Sequence, residues 1–210
     1  MALVRDPGRI AGGRGLLAPL SLGLAILAAA PLGRAQARLR QVGLAELTRR
    51  AGIIVVGRVV KARFEGHPDY PHVPTVAVTL DVEETLRGPA AGRFTFRQVI
   101  LSPRSFNRKS YAAGDRLLLF LPMPSQYGLS SPLGHEQGRF HVWRDTEGND
   151  QVANEFSNAG LFRDVAPAAR EQGLSLSAAQ SRLAAVSSGA VPLTEFVSLV
   201  RTLLTLPRLE

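Results

Sequence analysis

The feature that most narrows the fold is a succession of short apolar runs with strand periodicity, separated by turn residues and not by helices. In Thr75-Val76-Ala77-Val78-Thr79-Leu80-Asp81-Val82, the residues Val76, Val78, Leu80 and Val82 share one face, with Thr75, Thr79 and Asp81 on the other. That is the two-residue period of a half-buried strand. Before it, Ile53 to Val60 is too β-branched for a helix and apolar on both faces at its start. Gly57 inside that run suggests a bulge or a barrel corner, where a side chain would obstruct the bend. Glu65 to Pro74 is a loop with three prolines. After the turn at Leu86-Arg87-Gly88-Pro89, Arg93 to Ile100 alternates again, with Phe94 and Phe96 on one face. Gly114-Asp115 turns into Arg116 to Leu121, a strand covered on both sides. Gly138 to Arg144 and Gln151 to Ala153 form a hairpin around Thr146-Glu147-Gly148-Asn149. Five to seven strands joined in this way predict a mainly β (α+β) fold, a small antiparallel OB-like barrel.

Helices flank the strands. Leu39 to Arg50 has Leu44, Leu47 and Ala51 at helical spacing, which predicts a short N-terminal helix. Residues 164–192 are rich in Ala, Ser, Gly and Pro and hold one short helix near Ser177 to Val186. After Pro192, the stripe Phe196, Leu199, Val200, Leu203 and Leu204 marks a firmer helix that docks on the barrel.

The first 37 residues read as an export signal. Arg5, Arg9 and Arg14 form a positive start, Leu16 to Leu32 has no charge, and Ala35-Gln36-Ala37 supplies a small-x-small cleavage pattern. The alternative is an uncleaved anchor, but the apolar run is short of the roughly 20 residues a spanning helix needs. The expected organisation is a signal over 1–37, a β-barrel domain over 38–163, and a linker with a C-terminal helical segment over 164–210, in a secreted or periplasmic bacterial protein. Cleavage would reduce the net charge from +8 to +5, because the signal holds four arginines and Asp6. Of the 25 basic residues only Lys61 and Lys109 are lysine, a pattern of GC-rich codon usage, so the basic balance alone does not imply nucleic acid as a partner. The chain has no cysteine. That excludes disulfide stapling, thiol catalysis, a lipid-anchoring cysteine and a Cys-ligated zinc site.

The run Ala51-Gly-Ile-Ile-Val-Val-Gly-Arg-Val-Val60, the segment Val76 to Gly88 ending Val-Glu-Glu-Thr-Leu-Arg-Gly, Gly114 to Leu121 and Gln137 to Val142 together resemble a group of uncharacterised exported bacterial proteins. More distantly they are similar to the netrin-like OB-fold barrel of the tissue inhibitors of metalloproteinases, over roughly Leu39 to Ala153. The resemblance implies a barrel. Those inhibitors chelate the protease zinc through an N-terminal cysteine, and this chain has none, so their mechanism does not carry over.

Two clusters invite a chemical reading. His67-Pro-Asp69-Tyr-Pro-His72 brings two imidazoles and a carboxylate into one loop, the most metal-like set in the chain, although extended x-Pro steps splay successive side chains. Between Arg97 and Arg116, the cations Arg97, Arg104, Arg108 and Lys109 are interleaved with the aromatics Phe106 and Tyr111, the make-up of a binding groove for a charged polymer. His135-Glu136 lacks the second histidine of H-E-x-x-H, no serine lies in a G-x-S-x-G elbow, and no glycine-rich phosphate loop occurs. The expectation is a non-enzymatic exported binding or accessory domain without a cofactor or metal. Its partner would be a protein or an anionic envelope component, not nucleic acid. A protease-associated inhibitor-like module acting on an extracellular protease and a hydrolase with a non-local site are the alternatives.

Overall fold

In the computed structural model, residues 40–100 and 111–209 are described, within a compact unit spanning Leu39–Glu210. The expected leader lies outside the described residues. The elements are α1 (Leu44–Arg50), β1 (Ile53–Gly66), β2 (Pro74–Arg87), β3 (Arg93–Val99), β4 (Arg116–Leu121), β5 (Arg139–Arg144), β6 (Asp150–Asn154), α2 (Val165–Glu171), α3 (Ala178–Ala184), β7 (Val191–Pro192) and α4 (Leu193–Leu203). The seven strands form one antiparallel sheet in the order β3-β2-β1-β4-β5-β6-β7. The chain is therefore mainly β, with a short helix ahead of the strands and helices at its C-terminal end. No helix among the described residues is long and apolar enough to cross a membrane.

The expected barrel requires a correction, since the sheet does not close. The curl itself is built in by three bulges on the 14-residue strands β1 and β2, which leave Leu86, Glu83 and Val60 without a direct partner. At the second bulge Gly57 is needed, because a Cβ there would stand 2.7 Å from the Asp81 carbonyl oxygen. The bend brings Val76, Val78, Leu80 and Phe96 over Ile53, Val55, Leu117, Leu119 and Leu121, forming one apolar core on the inner side. The other side of the same strands carries a second core. Ile54, Val56, Leu118, Phe120 and Phe140 meet Leu47 of α1 and Phe196, Leu199, Val200 and Leu203 of α4. Period-two alternation with both faces covered explains why β1 and β4 read as continuous apolar runs.

Closure would require the two edge strands, β3 and β7, to pair. The free edge of β3 is met instead by the connection after β4. Ser130 N–H donates to the Arg97 carbonyl at 2.8 Å, and the Gln98 amide donates to Glu136 Oε1 at 2.6 Å. Glu136 and His135 both have positive φ, 77° and 53°, so the chain turns away here and does not extend along β3. Arg139, buried at the start of β5, lies 3.2 Å from Glu136 and 3.5 Å from Glu155. Glu136 Oε2 is buried and lacks hydrogen-bond alignment; the Arg139 charge compensates it. A polar seam of charged side chains replaces the missing ladder.

Distant side chains cap both ends of α1. Asp164 accepts the backbone N–H groups of Ala45 and Glu46 at 3.1 and 2.9 Å. Arg87 donates to the carbonyls of Thr48, Ala51 and Leu204 at 2.6, 3.1 and 3.3 Å, tying the C-termini of α1 and α4 together. A seven-residue helix cannot hold itself in water, so these contacts and its apolar face supply its stability.

Candidate binding surface

The sequence candidates separate when placed on this frame. Arg97 lies on the outward face of β3 and is tied to Glu65 at 2.7 Å and to the Thr75 hydroxyl at 3.1 Å. Tyr111 points inward and is 3% exposed. Its hydroxyl donates to Gln98 Oε1 at 2.7 Å, its ring meets Phe96 edge-on at 5.7 Å, and the Arg139 guanidinium sits 5.0 Å above it. Burial, then the nearby Glu136 charge, pushes the phenol far above its ordinary range. Tyr111 is thus a core residue at the seam and not a surface ring, because its aromatic face completes the inner core. Arg104, Phe106, Arg108 and Lys109 lie outside the described residues.

The outward face of the β1–β2–β3 half gathers cations that the sequence did not single out. Register places Lys61 beside Thr79 and Thr95, Arg63 beside Ala77 and Arg97, and Asp81 beside Arg93. Thr79 and Thr95 share a hydroxyl hydrogen bond of 2.9 Å. Arg93 and Arg97 have carboxylate partners in Asp81 and Glu65. Lys61 and Arg63 are exposed and have no ion-pair partner among the described residues.

The His67, Asp69 and His72 loop does not assemble as a ligand set. His67 is 3% exposed, and backbone groups engage both of its ring nitrogens. Nε2–H donates to the Tyr127 carbonyl at 2.8 Å, while Nδ1 accepts the Asp69 N–H at 3.1 Å. A single neutral tautomer satisfies both contacts. Asp69 and His72 are exposed, and no three His, Asp or Glu side chains among the described residues form a metal-holding group.

What His67 does instead is fasten two turns together. The β1–β2 turn is closed by His67 N–H to the Val73 carbonyl at 2.9 Å and Val73 N–H to the Tyr70 carbonyl at 2.8 Å. The Tyr127 turn is closed by Ser125 N–H to the Leu129 carbonyl at 2.9 Å. On this support Tyr70 and Tyr127 remain 42% and 48% exposed, with ring centroids 5.7 Å apart and planes at 80°. Tyr70 also meets His72 edge-on at 6.5 Å. Reading the sequence alone missed this corner, because its two tyrosines are 57 positions apart in loops with no shared pattern.

No protein-family model matches the chain, and neither a curated protein nor a solved structure matches it.

Proposed function

We propose that this chain is an exported, non-catalytic binding module that engages an anionic component of the cell envelope through the β1–β2–β3 half. The observation that carries this reading is a pair of exposed cations, Lys61 and Arg63, that have no ion-pair partner among the described residues and lie on the outward face of that half, next to Arg93 and Arg97. The sequence leading away from β3 adds Arg104, Arg108 and Lys109 to the same stretch of chain. Such a surplus attracts a polyanion at long range and loses that attraction as salt rises.

The test is capture from an envelope fraction at low and high ionic strength. Reversing charge with Lys61→Glu and Arg63→Glu should weaken capture of the anionic component at least tenfold and flatten its salt dependence. Alanine at Arg104, Arg108 and Lys109 should act in the same direction. Capture unchanged by both sets would refute the reading, and a salt-resistant protease as the captured partner would replace it with the inhibitor-like one.

A further inference from the structure

The tyrosine corner supports a second inference, independent of the cations. Two large rings in the open are unremarkable on a loose loop, but here they stand on turns locked by a buried histidine and a set of backbone hydrogen bonds. Holding side chains in place before a ligand arrives removes most of the ordering cost of binding. Tyrosine supplies a flat apolar face with a polar tip. In the same turn as Tyr70 are an exposed carboxylate, Asp69, next to it in the chain, and an exposed imidazole, His72, which meets the Tyr70 ring edge-on. The ligand that matches this corner is apolar on its flat face and carries hydroxyl groups around its rim.

We propose that Tyr70 and Tyr127, with Asp69 and His72 of the Tyr70 turn, form a stacking site for a pyranose ring of an oligosaccharide. The C–H face of the sugar lies on a tyrosine ring, and its hydroxyls donate to the Asp69 carboxylate. Single-stranded nucleic acid also stacks on aromatic rings, but its phosphates would meet Asp69 with like charge, which favours the sugar.

The experiment is calorimetric titration of the purified protein with cellohexaose, with chitohexaose and with an oligothymidylate. Saturable binding to at least one hexasaccharide is expected. Tyr70→Ala or Tyr127→Ala should each weaken it about tenfold, the loss of one aromatic contact. Tyr70→Phe should retain it, which separates loss of the ring from loss of the fold. Lys61→Ala with Arg63→Ala should leave it unchanged, so the site and the cationic face can fail separately. No binding to either sugar, binding indifferent to both tyrosines, or tyrosine-dependent binding of the oligothymidylate alone would overturn the proposal.

Discussion

Replacing Arg87 with methionine should destabilise the protein by about 3 kcal/mol, an unusually large effect for a half-buried arginine at the end of a strand. The figure follows from its contacts. One guanidinium donates to three carbonyls, those of Thr48 and Ala51 at the end of α1 and that of Leu204 at the end of α4. The last carbonyls of a helix have no partner within it, and a net contribution near 1 kcal/mol is typical of each hydrogen bond. The cation also faces the negative end of two helix dipoles. Burial, then the charge of Arg208, lowers its pKa below the ordinary arginine value, which is the cost of keeping the guanidinium here. Methionine keeps most of the apolar stem, so the comparison isolates the head group.

Equilibrium urea unfolding provides the readout. The midpoint should fall with the slope unchanged, and the melting temperature should drop by about 6–12 °C for a domain of this size. Arg87→Lys should recover part of the loss, since one ammonium cannot reach three carbonyls in the same geometry. Arg201→Ala is the control. It removes an exposed ion pair with Glu84 and should cost less than about 1 kcal/mol. If Arg87→Met costs no more than Arg201→Ala, the claim that Arg87 couples the two helices is wrong.

The other end of α1 supports a matched test. Asp164→Ala should cost about 1–2 kcal/mol, as loss of an N-cap acceptor does. Gly43→Ala should cost a similar amount, because its new Cβ would occupy the place of the Asp164 carboxyl group. Combined, the two should cost clearly less than their sum in urea unfolding. Asp164 also predicts a pH effect. Burial raises its carboxyl pKa, outweighing the backbone N–H groups of Glu46, Ala45 and Asp164 itself that pull it down. A raised folded pKa means that the native state holds the proton more tightly, so this contribution is complete below the unfolded value near 3.8 and is lost as pH rises through the folded value. Asp164→Asn should remove that fall from the stability–pH curve, and an unchanged curve would refute the assignment. At the aromatic corner, His67→Ala leaves the Tyr127 carbonyl and the Asp69 N–H without their partner. It should cost about 1–3 kcal/mol and speed amide exchange across 67–73 and 125–129, measurable by hydrogen exchange.

What could be read from the sequence was local. The alternation from Thr75 to Val82 and the apolar block Arg116 to Leu121 mark their strands because period two is visible within a few residues, and both lie within β2 and β4. The stripe from Phe196 to Leu203 identified α4 in the same way. The seven-residue α2 was missed, being too short for a clear period and having Pro167 in its first turn, where a missing N–H costs nothing. The burial of Tyr111 is not legible in the sequence, where it follows the polar Lys109 and Ser110 and precedes the turn at Gly114-Asp115. Its burial depends on Phe96, Gln98 and Arg139, contributed by β3 and β5. The missing barrel closure has the same origin. Strand pattern sets which segments pair, but the positive φ of His135 and Glu136 and the ion pairs of Arg139 are tertiary outcomes. The caps of α1 come from residues 37 or more positions beyond the helix, so no capping signature lies beside it.

These long-range contacts divide the protein by task. Arg87, Asp164 and the Gln137 amide, which accepts Val42 N–H and donates to the Arg40 carbonyl, all fasten α1 and its approach to the sheet. In the same region Asn154 and Asn158 bond each other's backbone at the end of β6. Polar side chains therefore take the stapling role in this cysteine-free chain. The turn end of the β1–β2–β3 half is built differently. Its own buried polar pin, His67, secures turns whose aromatic side chains stay exposed, and the neighbouring cations Lys61 and Arg63 have no ion-pair partner among the described residues. Leaving tyrosines open and cations uncompensated on a fixed support gives nothing back to folding. That contrast with the helix-covered half is the physical reason to look for ligands at the β1–β2 turn and its outward face.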